Sequence, residues 1–373
     1  MDSFIPNKIL LVQLFSNGDC LYATTIARQI KEDFPGCKLT WAIAGFCENI
    51  ISENPYVDDI IVTDEVAKND VAALRRYKRK VFAEKAKGKW DEVFITTNMD
   101  TNLAYYDGTI RGMILRAYGK PVTVPLQPVV QLTKKEINNV TTFSKEHKLE
   151  SFKHVILWEY APQSGQSLLN FEMVMNTARR LVLLPSVCII LTSANKFEGS
   201  ENIIDASTLS IRENAALTHC CNLLIGCSSG ITWLTTSSAA KFLPMVQLLN
   251  PNTVFINTPS TDFKRYNIEH AGLIEMGNFN EEQIYDCVHQ ILTGGFSSAE
   301  KYNEEIPLQF NTTKKIVYNL LVYREFAAIG RHFKIMKSVY GLHPLFLKAF
   351  FSGLAFAPVT LLKNIIRKRV FQN

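Results

Sequence analysis

The sequence predicts an α/β protein: two similar halves, each a doubly wound parallel sheet, followed by a basic helical tail. Three observations carry this. Short apolar runs alternate with helix-length amphipathic stretches, the mark of strand–helix–strand units. The alternation halts at Pro121–Pro128, which holds three prolines, and then starts again. Finally, 47% of the 373 residues are hydrophobic and 20% charged, too apolar for a disordered or fibrous chain and long enough for two domains. The expected units are residues 1–130, 131–305 and a tail at 306–373.

In the first half, Lys8–Leu14 (KILLVQL) is a continuous apolar run, as a strand buried on both faces requires. The turn Phe15–Asp19 leads into a helix from about Cys20 to Phe34, stopped by Pro35-Gly36. Leu39–Ile43 is the next strand, Phe46–Asn54 a helix closed by Asn54-Pro55, and Asp59–Val62 a strand. Val66–Ala86 is a polar, basic helix, Glu92–Thr97 a strand and Thr109–Tyr118 a helix. Lys134–His147 is a helix bridging to the second half.

There the strands are His154–Trp158, Val187–Leu191, Leu223–Ile225 and Met245–Leu249. The helices are Phe171–Leu184, Ile211–His219, Thr232–Ala239 and Glu281–Leu292, the last after the cap residue Asn280.

The net charge of +5 is unevenly spread. From Asn311 to Asn373 there are eleven Lys/Arg and one acid, leaving the tail at +10 and the rest of the chain at −5. Within the tail, Ala349–Leu362 has no charge; Lys348 precedes it and Lys363, Arg367, Lys368 and Arg369 follow. It is shorter than the roughly 20 apolar residues a membrane span needs, and Pro358 interrupts it. Aromatic and leucine anchors beside cations suit the interface of an anionic membrane. The competing expectation is that Phe350, Phe351 and Phe356 pack on the body as a final core helix. No nucleic-acid motif accompanies the charge.

The eight cysteines form no CxxC pair, and no His cluster has metal-ligand spacing, so neither a disulfide framework nor a metal site is expected. Met1–Pro6 is short and Ile9–Val12 strand-sized, which argues against a secretion signal and for a cytoplasmic protein.

Ligands of open parallel sheets bind beyond the carboxyl ends of the strands, so the turns there are the candidate sites. In Ser16-Asn17-Gly18-Asp19, Asp19 is either a helix N-cap or a general base facing a cleft. In Gly226-Cys227-Ser228-Ser229-Gly230, the serines either cap the next helix or, with free N–H groups and the helix dipole, hold a pyrophosphate. Pro162–Ser167 (PQSGQS) is a third phosphate cradle, though neither GxxxxGK[ST] nor GxGxxG occurs in the chain. Arg111 and Arg116, five apart on one helix, are anion ligands for an acceptor or solvated surface residues. Trp233, opening an apolar helix, is read as core rather than as a stacking platform.

Lys8–Asp64, with its strand, Ser-Asn-Gly-Asp loop, helix, Phe-Pro, strand and Asn-Pro-Tyr-Val-Asp stretch, resembles the opening of the heptosyltransferase family, glycosyltransferase family 9. Ser210–Pro251 resembles that family's second motif, and the likeness runs over roughly Lys8–Leu292. It implies a GT-B fold, two Rossmann-like domains facing across a cleft. It further implies an inverting, metal-independent transfer of sugar from a nucleotide-sugar co-substrate to a lipopolysaccharide-type acceptor.

By that resemblance Asp19 is the general base; Asn17, Gly18 and Arg111 are the candidate acceptor-side residues beside it. Ser164, Gly165, Gln166, Ser167, Ser228, Ser229 and Gly230 lie on the donor side. Two departures are visible. Ser228-Ser229-Gly230 and Trp233 stand where the family has Asp-Ser/Thr-Gly and then His, and Gln166 or Ser167 where it has Lys. A donor other than ADP-heptose, or a different set of cations, is therefore expected.

The resulting expectation is a bacterial glycosyltransferase with a lipid-linked cell-surface glycan as acceptor. Its tail would hold it at the inner face of the cytoplasmic membrane; no cofactor, metal or nucleic acid is expected. The alternatives are a non-catalytic relative that binds a nucleotide or glycan within an assembly complex, and a nucleotide-sugar epimerase of the same fold.

Overall fold

The computed structural model describes residues 6–160, 165–193, 195–253, 255, 257–308 and 310–355. In the first unit β1 (Lys8–Val12) leads to α1 (Asn17–Asp33), β2 (Lys38–Ile43), α2 (Glu48–Ile51), β3 (Asp59–Val62), α3 (Val71–Ala86), β4 (Glu92–Ile95) and α4 (Ile110–Ala117). All strand pairs are parallel, in the order β3-β2-β1-β4. One face of this sheet is filled from α3 by Leu74, Tyr77 and Val81 and the other from α1 by Leu21, Ile26 and Ile30. Both faces being covered explains why β1 reads as an unbroken apolar run.

α5 (Lys134–Glu146) begins with a reciprocal capping box between Thr133 and Glu136. The second unit then runs β5 (His154–Glu159), α6 (Phe171–Leu181), β6 (Val187–Thr192), β7 (Ile203–Asp205), α7 (Glu213–Leu217), β8 (Leu223–Gly226), α8 (Gly230–Leu234), β9 (Met245–Leu248), α9 (Pro259–Tyr266), β10 (Leu273–Met276) and α10 (Glu281–Gly294). Its six strands are all parallel, in the order β10-β9-β8-β5-β6-β7. Counted from β5, this is the doubly wound order that reverses direction between β5 and β8.

β7, α9 and β10 were not foreseen. β7 has three residues, and the apolar run of β10 is broken by Glu275, whose carboxylate accepts from the Ser260 hydroxyl at 2.6 Å.

The two units share a core. One cluster joins Ile9, Leu21 and Trp41 of the first to Leu157, Leu224, Trp233 and Phe263 of the second. The polar links are buried too. Arg111 of α4 meets Asp262 of α9 at 2.9 Å, with 1% and 0% of the side chains exposed. Asp107, just before α4, takes Arg116 and Arg265 of α9, each at 2.8 Å.

The described part of the tail packs on the body. α11 (Asn311–Val322) and α12 (Phe326–Tyr340) return to the first unit, and residues 344–355 are again helical. Phe346 and Phe350 pack with Ile316, Val317 and Leu320 of α11 and with Tyr106 and Met113. Burying each phenylalanine contributes about 1.5–3 kcal/mol to this packing. The expected core packing thus holds for Phe350, whereas Phe351 is 58% exposed, and Phe356 and Pro358 lie outside the described residues. Among the described residues, no helix is long and apolar enough to cross a membrane.

Candidate functional site at two switch points

In each sheet the chain reverses winding beside the first strand: between β1 and β4 in one, between β5 and β8 in the other. The turns at these points are the ones the sequence singled out, and the fold brings them into contact. α1 packs on α8. A Cβ added to Gly18 would stand 3.3 Å from Trp233 Cδ1, and one on Gly230 would stand 3.1 Å from Asn17 Cβ. Glycine at both places lets two backbones approach where any side chain would crowd.

Asp19 is not an N-cap. The cap position is Ser16, at φ 68°, and Asp19 is the third residue of α1, in its first turn. Its carboxylate turns away from the helix N–H groups and accepts from Asn98 Nδ2 at 2.9 Å, in the loop after β4. It lies deep among protein atoms but keeps some solvent access. Burial pushes its carboxyl up to about 7, against the downward pulls of the Asn98 hydrogen bond and the Lys68 charge. A carboxylate poised near neutrality at a cleft can take a proton from a hydroxyl at working pH.

The second switch point also holds a carboxyl group, one the sequence reading passed over. Glu159 ends β5 with 4% exposure. Its Oε1 accepts from the Ser229 hydroxyl and its Oε2 from Thr232 Oγ1 at 3.4 Å. Burial raises this carboxyl too, to about 7, while hydrogen bonds from Cys227 and Thr232 oppose the rise. Among the described residues it forms no ion pair. The one sequence signal was a lone charge closing an otherwise apolar strand, HVILWE.

The described polar groups of the loops around Glu159 are largely engaged by protein. Ser228 is 4% exposed; its N–H donates to Gln247 Oε1 at 2.8 Å and its hydroxyl to the Asn257 carbonyl. Gln166 Nε2 donates to the Phe255 carbonyl at 2.7 Å, and the Gly165 carbonyl accepts from Thr253 Oγ1 at 3.1 Å. Ser167 Oγ accepts from Leu169 N at 3.3 Å, and Ser164 lies outside the described residues. α8 has five residues and begins two residues earlier than expected, so it supplies little of the dipole foreseen there.

The turn Gly226–Gly230 also spells Gly-x-Ser-x-Gly, and Ser228 sits at φ 48° between a strand and a helix, the shape of a nucleophile elbow. Hydrolase chemistry does not follow. The Ser228 hydroxyl is spent on a backbone carbonyl and hydrogen-bonds no histidine among the described residues. His219 binds the Ala239 carbonyl and His332 the Ala104 carbonyl.

Arg111 is not a solvated arginine. Besides Asp262 it donates to the Leu126 carbonyl at 2.8 Å and lies 4.5 Å from the Tyr22 ring centroid, so its guanidinium is committed to joining the domains. Trp233 is core, as read: 2% exposed, with its ring 5.2 Å from Tyr22 and 6.1 Å from Phe263. Among the described residues no cluster of three or more His, Cys, Asp or Glu could hold a metal ion.

No protein-family model matches the chain, and no curated protein matches it by sequence. Solved structures do. A glycosyltransferase of family 9 from Veillonella parvula aligns over 78% of this chain and 98% of its own, at TM-score 0.53 and 18% identity. The E. coli ADP-heptose lipopolysaccharide heptosyltransferase II aligns over 77% and 98%, at TM-score 0.52 and 13% identity. The fold is thus GT-B, heptosyltransferase-like: two Rossmann-like α/β domains with their switch points face to face.

Proposed function

We propose that this chain is an inverting glycosyltransferase that moves a sugar from a nucleotide-sugar donor to a lipid-linked cell-surface glycan such as lipopolysaccharide or capsule. The observation that carries the reading is the place of Asp19. It lies at the first domain's switch point, fixed by Asn98, against the turn of the second domain that would hold the donor. Asp19 accepts the proton of the acceptor hydroxyl, whose oxygen then attacks the anomeric carbon from the face opposite the leaving group. The nucleoside diphosphate leaves toward residues 165–167 and 228–230, where N–H and hydroxyl donors stabilise the developing charge.

A family 9 glycosyltransferase and an ADP-heptose lipopolysaccharide heptosyltransferase of the same fold support this chemistry class. The acceptor side falls to Asn17 and Gly18, while Arg111 serves by holding the domains in register. The exposed Leu342, Leu345 and Phe351, with Lys348 and the cations of 363–369, suit attachment to an anionic inner membrane leaflet.

Asp19→Asn tests the reading: it removes the base and keeps the shape. Sugar transfer falls by at least about 10²-fold with the fold intact; full activity in this variant refutes the assignment.

A second reading has an observation of its own. Glu159 already engages the Ser229 hydroxyl, and Trp233 fills space between the domains, as suits a non-catalytic relative that docks in a glycan-assembly complex. Slow release of nucleoside diphosphate from any nucleotide sugar separates the two in favour of the enzyme.

A further inference from the structure

The donor side contains a charge problem. From Tyr160 to Asn170 and from Gly226 to Ala240 there is no Lys, Arg, His, Asp or Glu. These two stretches include both loops of the second switch point, so no cation from them faces a bound diphosphate. The one charged side chain at the ends of β5 and β8 is Glu159, and it is of the wrong sign.

We propose that a nucleoside diphosphate binds beside Glu159 only when this carboxyl carries a proton, so that donor binding draws one proton from solvent. This rests on the reading of the second switch point as the diphosphate site.

The surroundings favour it. Among the described residues, the groups that meet Glu159 are neutral. They are the Ser229 and Thr232 hydroxyls from α8 and its cap, Cys227 from the loop after β8, and Gln247 from β9, whose Oε1 shares the Thr232 hydroxyl at 3.3 Å. Ser167, from the loop after β5, faces Cys227 rather than Glu159, and the Cys227 thiol is pushed well above its ordinary value by burial, so it stays neutral.

With nothing to balance it, an ionised Glu159 repels an adjacent diphosphate across a low-dielectric interior. A protonated Glu159 reverses the interaction. Its O–H donates to a phosphate oxygen, and the Ser229 hydroxyl, released from the carboxylate, donates a second hydrogen bond. A neutral acid thereby does part of what a lysine would do, without a permanent charge. The raised carboxyl of Glu159, about 7, keeps the proton within reach near neutrality.

The test is calorimetric titration of the full chain with ADP, GDP, UDP and dTDP between pH 7.5 and 9, where the nucleotide phosphate is already ionised. Each titration is run in two buffers of different ionisation enthalpy. The diphosphate that binds best should lose about tenfold in affinity per pH unit, with close to one proton taken up per nucleotide. Glu159→Gln keeps the volume and removes the titration, so its affinity should be flat across this range with no proton uptake.

PH-independent binding to the unmodified chain without proton uptake overturns the proposal, as does an unchanged slope in Glu159→Gln. If that variant fails to fold, Asp19→Asn, which removes the other carboxyl raised to about 7, decides: it should keep both the slope and the proton uptake, and loss of either overturns the proposal. Absence of binding by all four nucleotides at every pH instead removes the diphosphate reading itself, and the proposal with it.

Discussion

Replacing Asp19 by asparagine should make the protein more stable as well as inactive. In the folded chain the carboxyl is raised from 3.8 to about 7, chiefly by burial. A carboxyl group raised on folding favours the protonated form. Its contribution is therefore complete below about pH 4 and is lost as pH climbs to about 7. At 1.36 kcal/mol per unit, the rise corresponds to a cost of about 4 kcal/mol for carrying the ionised carboxylate above pH 7.

Asparagine has no charge to desolvate and can still accept from Asn98. Urea unfolding of the two proteins at pH 5 and pH 8 measures the difference. The advantage of Asp19→Asn over the unmodified chain should grow by about 2–3 kcal/mol between these two values, because part of the cost is already present at pH 5. An advantage that does not grow with pH, or a variant that is less stable at pH 8, would show that Asp19 is well solvated. The case for a tuned base would then fail.

Two other outcomes follow from the packing. Arg111→Met should destabilise by about 3–5 kcal/mol, because Asp262 is left buried and loses its main cationic partner; Arg111→Met combined with Asp262→Asn should recover much of this in thermal unfolding. Removing residues 356–373 takes away Lys363, Arg367, Lys368 and Arg369 but spares Phe346 and Phe350. Co-sedimentation with vesicles containing anionic phospholipid should weaken by up to about 4 kcal/mol at low salt, and unchanged binding would place the contact elsewhere.

Much of the fold was legible because its determinants are local. β3 falls on the predicted Asp59–Val62, and α5 starts at the predicted Lys134 behind its capping box. The helix expected from Val66 begins instead at Val71, after Asp70 accepts from Ala73 N. Residues 66–70 thus stay outside the helix, and from there Lys68 acts on Asp19.

The site was legible only in halves. Strand-end turns marked residues 16–19 and 226–230, but that they touch depends on glycines and on Trp233, more than 200 residues from Asn17. Arg111 was legible only as an acceptor ligand or a solvated residue, not as a link between the domains, for the same reason: Asp262 lies 151 residues away, and nothing near Arg111 announces it. Glu159 was passed over because periodicity assigns a residue to a strand without saying what meets its end.

The most direct measurement is the anomeric configuration of the transferred sugar. The full chain is incubated with nucleotide sugars of known configuration and a lipid-linked glycan fraction, and the product is read by proton NMR. An Asp19-assisted direct displacement gives the inverted anomer. Retained configuration contradicts the mechanism, and the absence of sugar transfer from any donor contradicts the assignment as a transferase.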